Sequence, residues 1–147
     1  MKVALASDHA GFAVKESLKP LLAELGLEVS DLGATSTDSV DYPDFAERVA
    51  RAVAEGRAEQ GVLVCGSGTG MAITANKVPG IRAAVAFNEE IARLAREHND
   101  ANVLAIGART TAAGTIPDIV RVWFETKFAG GRHGDRIAKI DRIESKK

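Results

Sequence analysis

Short runs of β-type composition alternate with longer segments of helical period along this chain, and no other feature constrains its fold as tightly. Residues 3–7, 28–32, 61–65, 81–87 and 103–107 are predicted strands because each is short and rich in apolar residues. The segments between them repeat apolar residues every three or four positions, as amphipathic helices do. Strands that alternate with helices pair in parallel, so the pattern predicts an α/β fold with a five-stranded parallel sheet.

The chain continues beyond the predicted sheet into a C-terminal segment. Two glycines interrupt the helix that follows the fifth strand, and helical spacing resumes over residues 132–143. Ile137, Ile140 and Ile143 share one side of this predicted tail helix, which suits it to contact a partner. Residues 33–43 are polar and form a connection long enough to predict a loop that lines a site.

The composition is that of an ordinary globular protein. The chain has 147 residues, which predicts one domain over residues 1–147. Its 19 basic and 20 acidic residues leave a net charge of −1, so neither nucleic acid nor a membrane surface is an expected partner. No apolar run approaches the roughly 18 residues that a membrane span requires. Lys146 and Lys147 are expected to be solvated.

Cys65 is the chain's one cysteine. A single thiol excludes an internal disulfide and any multi-cysteine metal centre, and it predicts a reducing, cytoplasmic setting. Cys65 ends an apolar strand, where a lone cysteine usually serves as a small buried hydrophobe. It also stands directly before a predicted helix, where a thiolate can act as a base or a nucleophile. The residues alone leave both interpretations open.

Ligands of open parallel sheets bind beyond the carboxyl ends of the strands, so residues at those ends are candidates for a site. Asp8 and His9 follow the first predicted strand, Cys65 ends the third, and Arg109 follows the fifth. We therefore expect these four side chains to face one ligand.

The loop after the third strand is rich in glycine and consists of Gly66, Ser67, Gly68, Thr69 and Gly70. Glycine allows tight turns and close approach, so several backbone N–H groups could converge there on an anion. The loop lacks the Gly-Lys-Ser/Thr ending of a P-loop, and Met71 stands where a dinucleotide fingerprint has its third glycine. The prediction of nucleotide binding is therefore weakened. A loop whose glycines only allow the chain to turn from the strand into the following helix remains an alternative.

The three histidines, His9, His98 and His133, all fall at predicted element ends. A single histidine at a helix end is usually a cap or a partner of the helix dipole. We assign His9 and His98 to the ligand-facing edge, together with Asn99 and Asp100, and this favours a functional role for the histidines. No two histidines have the spacing of a zinc site, so no metal is expected.

Arg132 and Arg136 are four residues apart at the start of the predicted tail helix, so both project from one face. One guanidinium group can donate two hydrogen bonds to a phosphate at once, so two arginines on one helix face suit a phosphate ligand. Solvated surface arginines are the alternative.

Eight segments of this chain, in order, resemble the type B ribose-5-phosphate isomerases, a family that also includes galactose-6-phosphate isomerase subunits. The resemblance runs from about Lys2 to Ile143. The segments are SDHAGF (7–12), DYP (41–43), CGSGTG (65–70), ANK (75–77), GIR (80–82), EHNDANVL (97–104), GAR (107–109) and GGRH (130–133).

The resemblance implies a Rossmann-like, three-layer αβα sandwich and an isomerase without a cofactor. Its reaction would interconvert D-ribose 5-phosphate and D-ribulose 5-phosphate through an enediolate, in the non-oxidative pentose phosphate pathway. The partners implied are the small-molecule sugar phosphate and a second copy of the chain, in a homodimer or a dimer of dimers with active sites shared across the interface. Isomerisation of allose 6-phosphate or galactose 6-phosphate remains an alternative, as does a non-catalytic nucleotide-binding module.

The resemblance also implies roles for individual residues. Cys65 would be the base that moves the proton, because another branch of the family uses a glutamate where this chain has Met71. His98 would donate a proton as the furanose ring opens. Substrate-binding roles would fall on Asp8 and Ser67 at the sugar oxygens, on the amides of Gly66, Ser67, Gly68, Thr69 and Gly70 at the enediolate, on His9, Arg132, His133 and Arg136 at the phosphate, and on Tyr42, Asn99 and Arg109 elsewhere in the site.

Overall fold

The computed structural model of the protein describes residues 1–145, so the expectation for Lys146 and Lys147 lies outside the described residues. The strands are β1 (Lys2–Ser7), β2 (Glu28–Asp31), β3 (Gln60–Cys65), β4 (Ala83–Val85) and β5 (Val103–Gly107). The helices are α1 (Phe12–Glu24), α2 (Tyr42–Ala54), α3 (Thr69–Ala75), α4 (Glu89–Glu97), α5 (Ile116–Glu125) and α6 (Arg132–Ser145). A short 3-10 turn, Ala113–Thr115, precedes α5.

The five strands form one parallel sheet in the order β2-β1-β3-β5-β4, which confirms the predicted sheet. From β1 the chain first moves outward to β2 and then crosses to β3 on the other side. The reversal opens a crevice at the carboxyl ends of β1 and β3, where open α/β sheets bind their ligands. Ser7 pairs with Val64 in this register, so the next residues of the two chain segments lie at the same height along the strands.

Helices cover both faces of the sheet, which confirms the three-layer sandwich. Side chains alternate along each strand, so Val3 and Leu5 pack with α1, α4 and α5, whereas Ala4 and Ala6 pack with α2 and α3. Trp123 of α5 is fully buried and donates its indole N–H to Gln60 Oε1 at 2.7 Å. Of the helices described over residues 1–145, none is long and apolar enough to cross a membrane.

The boundaries of three elements differ from the sequence prediction by more than an end residue or have a clear physical cause. The predicted strand at residues 81–87 pairs only over Ala83–Val85, because β4 is an edge strand and Ile81 N–H is bound to Val78 O in a turn. The predicted helix to about residue 79 ends at Ala75. α2 begins at Tyr42, before the predicted end of the loop, because proline is favoured in the first turn of a helix.

The C-terminal helix α6 is present as predicted, and it is attached to the rest of the molecule largely by polar contacts. Ile137 is its one buried residue within the described chain. The backbone N–H of Ala129, just before α6, donates to Glu97 O at 3.0 Å, and Glu144 accepts from Gly80 N–H at 3.0 and 3.1 Å. Ile140 and Ile143 are 46% and 60% exposed, so the predicted apolar side of the helix lies mostly in solvent.

Candidate active site

A cavity of about 430 Å³ lies at the carboxyl edge of the sheet, beside the ends of β1 and β3. Its wall consists of Asp8, Tyr42, Cys65, Gly66, Ser67, Gly70, Arg109 and Thr110. Seven of these eight residues were predicted from the sequence, and Thr110 was not. A larger groove of about 610 Å³ runs along α2, but none of the predicted site residues lines it.

Cys65 ends β3, lines the cavity and is only 5% exposed. Its Sγ accepts a hydrogen bond from Gly68 N–H at 3.2 Å. Gly68 adopts a left-handed conformation with a φ of 79°, which returns the chain over the sulfur and which glycine adopts without strain. Cys65 is thus part of the buried core and also borders the cavity, and its sulfur has an N–H partner of the kind that stabilises negative charge.

Asp8 is 6% exposed and directly follows β1, on the other side of the crevice from Cys65. One carboxylate oxygen, Oδ1, accepts from Gly11 N–H at 3.0 Å, which holds the side chain at the beginning of α1. Because it lines the cavity, this carboxylate is available to accept or hold a proton of a bound molecule.

Two of the five predicted loop amides are already engaged within the chain. Gly68 N–H donates to Cys65 Sγ, and Thr69 N–H donates to Ser67 Oγ at 3.3 Å. Gly66, Ser67 and Gly70 line the cavity, whereas Gly68 and Thr69 do not form part of its described wall. The amides that suit an oxygen anion are therefore those of Gly66, Ser67 and Gly70.

Arg109 and Tyr42 complete the cavity from two different elements. The backbone N–H of Arg109 donates to Gly66 O at 2.9 Å, so the segment after β5 is fixed against the glycine loop. The Tyr42 ring lies so close to Gly70 that a Cβ there would be 2.5 Å from Cε1 of the ring. Glycine at position 70 therefore allows the aromatic ring to form a wall of the cavity.

His9 lies at the same edge of the sheet, beside the polar loop that follows β2. Its Nδ1 accepts a hydrogen bond from Val40 N–H at 3.2 Å. With Nδ1 accepting, a neutral His9 carries its proton on Nε2 and can donate it to an anion. The predicted role of the loop is thus supported by one direct contact with a site candidate.

A second group of predicted residues lies at the junction of α4 and α6. The His98 and His133 rings are stacked, with centroids 4.3 Å apart and an angle of 11° between the planes. Burial lowers the pKa of His133, and electrostatic interactions with the neighbouring His98, Arg132 and Arg136 lower it further, against the opposing effect of Glu97. A concentration of positive charge of this kind favours a bound phosphate.

The assignment of His98, Asn99 and Asp100 to the carboxyl edge was wrong. His98 is the C-cap of α4, and the turn after it leads into Val103, which pairs with Gly61 at the beginning of β3. Cys65 pairs with Gly107, four residues further along the strands, which corresponds to about 13 Å. A helix that precedes a parallel strand ends at the amino edge of the sheet, so the two predicted catalytic residues of one chain lie at opposite edges.

The fold and the cavity define a three-layer α/β protein whose ligand site lies at the topological switch point and combines a thiol, a carboxylate and loop amides. The sequence model of the family described as Ribose/Galactose Isomerase matches residues 3–140. The chain therefore belongs to the ribose/galactose isomerase family.

Individual relatives match along nearly their whole length. Ribose-5-phosphate isomerase B of Escherichia coli is 43% identical, over 99% of this chain and 98% of that protein. The structure of ribose-5-phosphate isomerase B from Clostridium thermocellum has a TM-score of 0.97 and 49% identity, covering 99% of both chains. Ribose-5-phosphate isomerase B of Mycoplasma genitalium, solved with bound ribulose-5-phosphate, has a TM-score of 0.95 and 39% identity, covering 99% of this chain and 97% of that one.

Proposed function

We propose that this chain is an aldose–ketose isomerase that interconverts D-ribose 5-phosphate and D-ribulose 5-phosphate through an enediolate. The observation that carries the proposal is that Cys65 lines a cavity together with Asp8 and three residues of the glycine loop. The Mycoplasma relative bound to ribulose-5-phosphate supports this choice of substrate over a six-carbon sugar phosphate. The proposal includes residues 1–147 as one sugar-phosphate isomerase domain of the pentose phosphate pathway.

The central step is a proton transfer between neighbouring carbons. The Cys65 thiolate takes the proton from C2 of the open-chain aldose, and the electron pair that it leaves forms the C1–C2 double bond of the enediolate. The thiol then returns the proton to C1, while the proton on O2 moves to O1. No electron leaves the sugar, so this step requires no redox cofactor.

Negative charge develops on the substrate oxygen during that step, next to the glycine loop. Gly66, Ser67 and Gly70 line the cavity, and in this proposal their amides are the donors for that charge. A fixed donor of this kind stabilises a developing oxyanion by about 3–4 kcal/mol. The thiolate also requires a reduced protein, which agrees with a cytoplasmic setting.

Ribose 5-phosphate is cyclic in solution, so its ring must open before the proton transfer. The C1–O4 bond breaks, O4 receives a proton from His98, and the proton of the C1 hydroxyl passes to the Asp8 carboxylate. Because His98 and Cys65 of one chain lie at opposite edges of the sheet, the His98 of a second copy performs this step.

We propose a homodimer in which each site combines two half-sites. One copy contributes the carboxyl-edge half-site, formed by Asp8, His9, Tyr42, Cys65, the glycine loop and Arg109. The other contributes the α4–α6 half-site, formed by His98, Asn99, Arg132, His133 and Arg136. The phosphate then lies between His9 of one copy and the arginines of the other, and a dimer of dimers would contain two such pairs.

A product assay with ribose 5-phosphate and allose 6-phosphate in parallel tests the substrate. We expect ribulose 5-phosphate from the first sugar and at most slow turnover of the second. Cys65→Ala is the control, because it is expected to bind ribose 5-phosphate and not to isomerise it. Preferred turnover of allose 6-phosphate would establish the six-carbon alternative, and turnover of neither sugar would refute the proposal.

A further inference from the structure

Arg82 belongs to neither predicted set of site residues, yet its side chain contacts the turn that carries two of them. The side chain is 20% exposed. Its Nε donates to Asn99 O and to Asp100 O, both at 3.2 Å, and its Nη2 donates to Asp100 O at 3.0 Å. The carbonyls of the turn directly after His98 are therefore held by one guanidinium group.

This turn adopts a conformation that needs support from its surroundings. Asp100 has a φ of 44°, in the left-handed region that residues other than glycine rarely adopt. Arg96 supports the turn from α4, where its Nη1 donates to Asp100 Oδ1 at 3.0 Å and to Ala101 O at 2.7 Å. Such conformations persist where neighbouring groups fix them, and they concentrate at functional sites.

Arg82 also connects this turn to α6. Its Nη1 lies 3.4 Å from Asp141 Oδ1, so one guanidinium group reaches both elements that form the α4–α6 half-site. The planar fork of an arginine can bind carbonyl and carboxylate groups in different directions at once, whereas the single ammonium of a lysine cannot reproduce this geometry. The contact is therefore specific to arginine.

We propose that Arg82 is a positioning residue that fixes the turn behind His98, so that the ring-opening step depends on it. This inference rests on the proposed function. It implies that loss of Arg82 impairs the opening and closing of the furanose ring and leaves the proton transfer at Cys65 almost unchanged.

The chemistry of the two sugars separates these steps. Ring opening breaks the C1–O4 bond of the aldose and needs a proton at O4. Ribulose 5-phosphate has no free hydroxyl placed to close a five-membered ring on its C2 carbonyl, because O5 carries the phosphate. Exchange of a C1 proton of ribulose 5-phosphate with solvent therefore requires Cys65 but does not require ring opening.

The experiment compares Arg82→Lys with the wild-type protein in two assays. One measures isomerisation of ribose 5-phosphate, and the other measures deuterium incorporation at C1 of ribulose 5-phosphate in D₂O. We expect Arg82→Lys to lower kcat/KM for isomerisation about tenfold or more, and deuterium incorporation by less than about threefold. A second readout is the NMR shift of the His98 and His133 ring protons, which should change as the stack is disturbed.

Three variants serve as controls. Arg57→Ala removes an exposed arginine that pairs with Glu55 and should leave both assays unchanged. Asp141→Asn weakens the contact with α6 but keeps those with the turn, so the ratio of the two assays should stay that of the wild type. Cys65→Ala should lose both activities.

An equal loss of isomerisation and of deuterium incorporation would overturn the role of Arg82. Full activity in both assays with unchanged NMR shifts of the two histidine rings would overturn it as well. If Arg82→Lys unfolds at a lower temperature, the ratio of the two activities still decides, because a smaller folded fraction reduces both equally. Absence of both activities in the wild-type protein would instead refute the proposed function, and this inference with it.

Discussion

Cys65 combines burial with a place beside the cavity, so the structure does not force a choice between the two interpretations that the sequence left open. The residue is 5% exposed, yet it lines the cavity, and its sulfur accepts a hydrogen bond from an N–H group of the loop that follows it. The sequence was sufficient to identify Cys65 and Asp8, because each stands where a buried strand ends. It was insufficient for Thr110, since a threonine in a polar turn carries no signal until the sheet register brings it to the cavity.

Replacement of the thiol by a hydroxyl tests its role as the base. Cys65→Ser changes one atom in a buried position, so we expect a folded protein that still binds ribose 5-phosphate. Loss of a positioned general base typically costs about 100- to 10,000-fold in rate, and kcat should fall by this factor. Steady-state kinetics with calorimetric binding is the measurement, and a kcat above about a tenth of the wild-type value would contradict the assignment.

Gly70 and Tyr42 form a pair whose contact can be tested by size. In Gly70→Ala the new methyl group would lie 2.5 Å from the Tyr42 ring, so the ring must move and the cavity wall changes shape. We expect kcat/KM to fall about tenfold, because small displacements at a site are costly. The same substitution in a Tyr42→Ala background should have little further effect, since the two residues are coupled through this contact.

Gly114→Ala is the matched control for that substitution. A Cβ at Gly114 meets nothing within 4 Å, so kinetics and stability should both be unchanged. A similar kinetic loss from Gly70→Ala with and without Tyr42 would show that the ring does not form the functional wall.

At the scale of elements, α6 is attached to the rest of the molecule largely by polar contacts. One buried apolar residue and several polar contacts hold it, and the His98–His133 stack lies at its beginning. Burial first, and then His98, Arg132 and Arg136, lower the pKa of His133 below its ordinary value. A histidine whose folded-state pKa is lowered stabilises the folded form at high pH, and this contribution is lost as the pH falls.

We therefore expect α6 to detach more readily below a pH of about 6.5, where the unfolded histidine takes up a proton that the folded one resists. Hydrogen exchange of the α6 amides, corrected for intrinsic rates, should show protection falling between about pH 7.5 and 5.5. His133→Gln should remove most of this pH dependence. The amides of α5 provide an internal control, and equal pH dependence in both helices would contradict the prediction.

The sequence predicted the type of each main element correctly. It was less successful in predicting at which edge of the sheet the residues at helix ends lie. Periodicity identifies a helix without showing where it ends in space, which is why His98 was assigned to the wrong edge. The parallel register determines this: α4 must return to the amino edge before β5 can begin at Val103 beside Gly61. Similarly, the apolar residues Ile81 and Phe87 could not be distinguished from strand residues until β4 proved to pair over three positions.

At the scale of the whole molecule, one chain contains both proposed half-sites and cannot bring them together. The Cys65 cavity lies at the carboxyl edge of the sheet, and the stacked histidines lie at the other. Large apolar side chains at Ile73, Phe87, Ile140 and Ile143 are exposed, which favours burial against a second copy. Ile140 and Ile143 also line one groove with Ile81, beside the edge strand.

Mixed dimers test this arrangement directly. Cys65→Ala and His98→Asn chains should each be inactive alone, because every site then lacks either the base or the ring-opening acid. When the two are unfolded together and refolded in equal amounts, random pairing leaves about a quarter of the sites with both residues intact, whether the assembly is a dimer or a dimer of dimers. Activity should therefore recover to about a quarter of the wild-type value, measured after identical refolding.

A mixture of Cys65→Ala and Cys65→Ser chains should show no recovery, because no pairing restores the thiol. If each site were formed within one chain, the first mixture would also stay inactive, and the shared-site arrangement would be wrong.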